Sequence, residues 1–177
     1  MNDAVEILAE GRFLRLSRRG KWEYVSRVNA AGAVHILAVT PDDELLMVDQ
    51  YRVPMGGRVL ELPAGLVGDA DGGTDDTPET AAARELLEET GYRPGRVEHL
   101  YDGPSSPGMA SELVTMVRAF DLERVGEGGG VGGEDIRVLH VPLAGVRHWL
   151  AEQVAAGRSV DHKVYAALFF LTDAVRS

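Results

Sequence analysis

Cysteine is absent from this chain of 177 residues. Its absence excludes disulfides, zinc–thiolate centres and thiol nucleophiles. It also suits the cytoplasm, which is the expected location. Long apolar runs are missing too. None reaches the length that spans a bilayer, so no membrane association is expected. The first thirty residues carry Asp3, Glu6 and Glu10 and hold no continuous apolar core, so no secretory signal is expected either. Positive charge is in short supply: 18 lysines and arginines face 28 aspartates and glutamates, a formal net charge of −10. Such a surface disfavours nucleic acid and anionic membranes. It would also repel an anionic substrate unless a bound cation reversed the local sign. Aromatic residues are few, at 6%, while an ordinary apolar content of 45% gives one domain of this length a sizeable core.

What the chain has is a concentrated run of carboxylates. Glu85, Glu88 and Glu89 follow Arg84 and end at Gly91, and Asp76-Thr77-Pro78-Glu79 lies upstream. Thr77 suits an N-cap, Pro78 the first helical position and Gly91 the position just past the end, so one amphipathic helix is predicted between them. Residues four apart on a helix differ by only about 40° around the axis and about 6 Å along it. Glu85 and Glu89 therefore point the same way, with Glu88 on the neighbouring line. Carboxylates this close repel one another. Either the run is a solvated acidic face, or it holds a hard cation with oxygen ligands, for which Mg²⁺ is the natural choice and Mn²⁺ the alternative.

The string Arg84-Glu85-Leu86-Leu87-Glu88-Glu89-Thr90-Gly91-Tyr92 resembles the second half of the Nudix signature at every fixed position. In the first half, Asp76 stands where the signature has a glutamate, and the signature's glycine is Gly65. Asp76 lies eleven positions after Gly65 instead of six, so residues 68–75 are expected to form a lengthened, Gly- and Asp-rich surface loop. Gln50-Tyr51-Arg52-Val53-Pro54 and Leu60-Glu61-Leu62-Pro63-Ala64-Gly65-Leu66 look like the approach to the signature in ADP-ribose pyrophosphatases. Pro107, within Ser105-Ser106-Pro107-Gly108-Met109, resembles the proline that marks that branch.

The resemblance implies a fold, a reaction and a site. The fold is an α/β/α sandwich with a mixed sheet. The reaction is hydrolysis of ADP-ribose or a related ADP-sugar to AMP and a sugar phosphate. The alternatives are another nucleoside diphosphate-sugar hydrolase, such as one acting on GDP-mannose, and a non-catalytic ADP-ribose sensor. Glu85, Glu88, Glu89 and the carbonyl of Ala64 are the implied metal ligands, and Arg84 orients the glutamates. Glu134, in Glu134-Asp135-Ile136, is either the base or a ligand that positions the attacking water, against the plain reading of a loop acid. Arg27 and Arg52 are implied at the pyrophosphate, where a forked guanidinium matches phosphate oxygens. Trp22 and Glu23 are implied at the adenine, across a homodimer; the plain reading of Trp22 is packing within its own hairpin. Gly65, Leu66, Pro107, Gly108, Met109 and Glu112 complete the implied substrate contacts.

Along the chain, residues 1–32 form an arm belonging to the same domain as residues 33–177. Alternation around a Ser-Arg-Arg-Gly-Lys turn predicts a hairpin over 12–28. Strands are predicted at 34–39, 45–51, 59–62, 97–101, 113–121 and 136–141, and helices at 143–156 and 160–175. Residues 127–133, with five glycines among seven, are expected to be mobile. The five histidines show no ligand spacing, and His140 and His162 are expected to be structural.

Overall fold

The computed structural model describes residues 4–68 and 76–171. Three antiparallel strands come first, β1 (Glu6–Glu10), β2 (Leu14–Arg19) and β3 (Trp22–Arg27), side by side in that order. The predicted hairpin is therefore a three-stranded sheet. β1 escapes a period-two reading because Ile7, Leu8 and Ala9 are consecutive apolar residues, and a register shift between Ile7 and Ala9 interrupts its pairing with β2. β1 is exposed throughout, and Ile7, Phe13, Leu14 and Trp22 also lie open to solvent. β3 is tied to the rest of the fold through Val25. Its N–H donates to the Met109 carbonyl at 2.9 Å, and its carbonyl accepts the Ser111 N–H at 3.0 Å.

The remaining elements follow in chain order: β4 (Gly32–Ala38), β5 (Glu44–Arg52), β6 (Gly57–Glu61), β7 (Ala64–Val67), α1 (Pro78–Thr90), β8 (Tyr92–Arg93), β9 (Arg96–Pro104), β10 (Leu113–Phe120), β11 (Glu123–Arg124), β12 (Ile136–Pro142), α2 (Val146–Ala155), β13 (Ser159–Val160) and α3 (His162–Phe169). One sheet runs β7-β4-β10-β9 and another β12-β5-β6-β13. The β4/β10 and β6/β13 pairs are parallel, so both sheets are mixed.

Strand β4 shows how the layers arise. Side chains alternate across a strand with a period of two. Val34, Ile36 and Ala38 join Ala81, Ala82 and Leu86 of α1 in one core. Leu37 points the other way and joins Val146 and Leu150 of α2 and Val164 and Ala167 of α3 in a second core. Sheets between α1 on one side and α2 and α3 on the other make the expected α/β/α sandwich. Among the described residues, no helix is long and apolar enough to cross a membrane.

Three expectations change. The helix predicted from 143 starts at Val146, because Gly145 takes a left-handed φ of 97° as its N-cap. The helix predicted from 160 begins at His162. Ser159 and Val160 pair with β6 instead, and Asp161 caps α3, its carboxylate accepting the Lys163 N–H at 2.8 Å. α3 ends at Phe169, with Phe170 as its C-cap, and predicted helix residues 172–175 and loop residues 69–75 lie outside the described residues. The glycine-rich run docks instead of hanging free. Gly129 and Gly130 donate N–H groups to the carbonyls of Glu89 and Glu88, at 2.8 and 3.0 Å. Those carbonyls belong to the last turn of α1, which has no intrahelical donors left for them. Gly128 sits against the same turn with φ 70°, and a Cβ there would overlap the Glu89 carbonyl and the Thr90 backbone.

Candidate active site

Helix α1 is fixed at both ends by the residues that predicted it. Thr77 and Thr80 exchange a reciprocal capping box, Pro78 opens the first turn, and Gly91 closes the last with φ 77°. Asp76 does a structural job ahead of the cap. One carboxylate oxygen accepts the Gly68 N–H at 3.0 Å and the other accepts from the Thr80 hydroxyl at 2.9 Å. The Gly68 N–H leads the interactions that hold the Asp76 carboxyl below its usual range. A single carboxylate thus joins the end of β7 to the start of α1 across the lengthened loop.

The helix turns Glu85 and Glu89 into a cavity of about 480 Å³, which Glu134 also lines. Glu89 is only 4% exposed and accepts the Ala64 N–H at 3.0 Å. Burial pushes its carboxyl up to about 8, with Glu85 and Glu134 adding to the effect and the Ala64 N–H opposing it. Arg84 holds Glu85 through Nη1–Oε1 at 2.6 Å and lies 3.5 Å from Asp76. Glu88 is half-buried on the same helix and is not among the residues that line the cavity.

The same cavity carries three cations, each paired with its own carboxylate. Arg27 donates from Nε to Glu112. Arg52 makes a bidentate pair with Glu61, at 2.8 and 2.6 Å. Lys163 pairs with Asp161 at 2.7 Å. The bidentate geometry fixes the plane of the Arg52 guanidinium. Asp135, next to Glu134 in sequence, turns away and pairs with Arg58.

Of the predicted residues, the structure brings Arg27, Arg52, Ala64, Gly65, Leu66, Glu85, Glu89, Glu112 and Glu134 to this one cavity. Trp22, Glu23, Pro107, Gly108 and Met109 lie outside it and are exposed. The sequence reading passed over His35, Gln50, Glu61, Asp161 and Lys163, which also line it. Glu61 carried a signal, as a lone acid between Leu60 and Leu62 in an apolar strand. His35 is 7% exposed, and burial, helped by nearby Lys163, pushes its imidazole down to about 3, so it is neutral at neutral pH.

Gly65 is where the cavity is tightest. A Cβ there would overlap Cγ and Cδ of Glu85, so alanine would force that carboxylate out of place. Misplacing a reacting constellation by about 1 Å can cost on the order of a hundredfold in rate. Gly65→Ala is expected to lower turnover by about tenfold to a hundredfold while circular dichroism and melting temperature change little. Unchanged turnover would show that the position of Glu85 is immaterial.

Comparisons with known proteins show the family. The NUDIX domain family model matches residues 29–127. The chain belongs to the Nudix family and is a hydrolase. It is 33% identical over 161 residues to GDP-mannose pyrophosphatases of Enterobacter sp. (strain 638) and Escherichia coli (strain K12), covering 86% of this chain and 78% of each relative. It is 31% identical over 145 residues to a methanol dehydrogenase activator of Bacillus methanolicus, covering 81% of this chain and 74% of that protein. A crystal structure of an ADP compounds hydrolase superposes with a TM-score of 0.68 at 24% identity, covering 84% of this chain and 80% of that one. That likeness concerns the fold.

Nudix hydrolases generally use divalent metal ions, and the residues here suit one. The donors on the α1 side are all oxygens, as hard divalent cations require. Glu89 is a buried carboxyl whose negative charge is disfavoured by burial and by Glu85 and Glu134, a repulsion that a cation would relieve. Gly65 leaves room for the Glu85 carboxylate beside it. Among the described residues, no three carboxylate or imidazole groups already stand close enough to form a closed cage.

Proposed function

We propose that this chain is a Mg²⁺-dependent pyrophosphatase that hydrolyses ADP-ribose or a related ADP-sugar to AMP and a sugar phosphate. The observation that carries the reading is one cavity lined both by the acids Glu85, Glu89 and Glu134 and by three cations held by their own carboxylates, Arg27, Arg52 and Lys163. Glu85, Glu89 and the Ala64 carbonyl would hold the ion, with Glu88 as a further ligand from the neighbouring line and Mn²⁺ as the alternative metal. When bound, it would neutralise phosphate oxygens and make a coordinated water more acidic. Arg84 keeps Glu85 aimed. Arg52 and Arg27 take the pyrophosphate oxygens, since their carboxylate partners already turn them into the cavity. Glu134 accepts the proton of the attacking water or holds that water in line. Gly65 and Leu66 form the wall beside the reacting phosphorus, and Glu112 meets hydroxyls of the terminal ribose while steadying Arg27.

The test is a substrate panel with and without Mg²⁺, in which AMP should appear from ADP-ribose only with metal. The names of the GDP-mannose pyrophosphatase relatives support a second reading, and faster release of GMP from GDP-mannose would favour it. ADP-ribose binding without turnover would favour a sensor. The intact Glu85, Glu88 and Glu89 speak against that.

The arm, residues 1–32, is proposed to complete the site of a second copy in a cytoplasmic homodimer. Trp22 is 67% exposed, which supports a role for its ring outside its own sheet. Trp22 and Glu23 lie away from their own cavity, where they would reach a partner's adenine. Pro107, Gly108 and Met109 sit beside β3 through the Met109 carbonyl and would close over the same nucleotide. Stacking on a base is worth roughly 1–3 kcal/mol. Trp22→Ala should therefore raise the Kd for ADP-ribose by about tenfold to a hundredfold, at about 1.4 kcal/mol per decade, with little change in saturated turnover. A fully active monomer in sedimentation, or an unchanged Kd, would return Trp22 to the surface.

A further inference from the structure

Strand β5 presents two faces. Gln50 and Arg52 line the cavity, and side chains alternate along a strand, so Asp49 and Tyr51 turn to the face behind it. Arg58 of β6 is in register with Tyr51 and shares that face. Asp49, Arg58 and Asp135 all lie outside the cavity lining. There Arg58 joins β5 to the loop that precedes β12. Its Nε donates to Asp49 Oδ1 at 3.1 Å, and its Nη2 donates to the Asp49 carbonyl. Its Nη1 donates to Asp135 Oδ2 at 2.5 Å, and Nη2 also donates to the Asp135 carbonyl at 3.2 Å. Asp49 is only 5% exposed, and Arg158 pairs with its second carboxylate oxygen at 2.7 Å.

An exposed ion pair contributes little to a fold, but Arg58 differs from one in two respects. Its side chain is mostly buried, and it binds a main-chain oxygen of each partner, with all three guanidinium nitrogens donating. A planar fork of this kind fixes the position of what it holds. What it holds here is the end of a permissive loop. Gly128, Gly129, Gly130, Gly132 and Gly133 all have positive φ, and glycine has the most backbone freedom to lose on folding. One end of the loop is pinned where Gly129 and Gly130 donate to the carbonyls of α1. Arg58 pins the other end at Asp135, 77 positions away in sequence. Residues 131–134 span the two pins, and Glu134 is the member of that span whose side chain lines the cavity.

We propose that Arg58, oriented by Asp49, is a positioning residue: from behind the sheet it anchors the loop at Asp135 and so sets where Glu134 stands in the cavity. This rests on the reading of Glu134 as the group that handles the attacking water. The experiment places Arg58→Met in the wild type and in Glu134→Gln, with kcat and KM measured on ADP-ribose. In the wild type kcat should fall about tenfold to a hundredfold, as for a displaced reacting group. KM should change less than about threefold, since Arg58 lies outside the cavity. In Glu134→Gln the same substitution should lower kcat less than about threefold, because the group it positions is already gone. Equal losses in the two backgrounds, or no loss in the wild type, would overturn the proposal. If Arg58→Met does not fold, Arg58→Lys makes the same comparison, since lysine keeps the charge beside Asp49 and loses the fork. If Glu134→Gln turns over like the wild type, or the wild type leaves ADP-ribose intact, the reading of Glu134 fails and amide exchange decides the anchor. Exchange at least about tenfold faster in Arg58→Met over residues 128–135, with β4 unchanged, supports it. Equal exchange, or a rise throughout the chain, overturns it.

Discussion

Glu89→Gln is expected to lower kcat by about 100- to 1,000-fold in saturating Mg²⁺, the scale seen when a group that stabilises transition-state charge is removed. The metal-free variant should be at least as stable as the wild type. Glu89 is buried at the end of α1, where an ordinary substitution would be damaging. Glutamine, however, keeps the shape and can still accept the Ala64 N–H through its amide oxygen. It also removes an ionisation that the fold resists. Burial raises the Glu89 carboxyl to about 8, so the folded chain binds this proton more tightly than the unfolded chain does. Stability is unaffected below the ordinary glutamate range, falls as pH rises through that range, and is fully lost from this source above about 8. The glutamine variant escapes that loss. Thermal melts in chelator between pH 5 and 9 should converge at the acid end and favour the variant at the alkaline end, and added Mg²⁺ should stabilise only the wild type. Wild-type turnover in the variant would remove Glu89 from the metal site.

The features legible in the sequence are those set by neighbours in the chain. Thr77, Pro78 and Gly91 delimit α1 because caps and left-handed closures are local chemistry. Glu85 and Glu89 share a face because a helix repeats every 3.6 residues. What the sequence hid is set by distant partners. Nothing near Arg27 announces Glu112, 85 positions away, and nothing near His35 announces Lys163. Composition gave the glycine-rich run as loose, yet the unpaired carbonyls of Glu88 and Glu89 bind it. The carboxylate count was visible, but the burial that sets the proton affinity of Glu89 depends on how β7 closes over α1.

That same docked run sets up the strongest expectation for Glu134. Gly129 and Gly130 are hydrogen-bonded to the end of α1, which brings Glu134 into the cavity that Glu89 lines. The Val131 N–H donates to Glu134 Oε2 at 3.2 Å. At Gly130, which has φ 83°, a Cβ would overlap the Glu134 side chain. Asp135 turns outward to Arg58, just before Ile136 enters its pairing with Gln50. Adjacent acids are thereby sent to opposite sides, one to the cavity and one to a surface ion pair. A base or water-orienting group acts in the transition state and not in ground-state binding. Glu134→Gln should therefore lower kcat by about 100- to 1,000-fold and change KM by less than about threefold. Asp135→Asn, which touches only the exposed ion pair, should stay within about twofold of wild type in both constants. A rise in KM at unchanged kcat would make Glu134 a substrate-binding residue, and equal losses in the two variants would trace the effect to the loop as a whole.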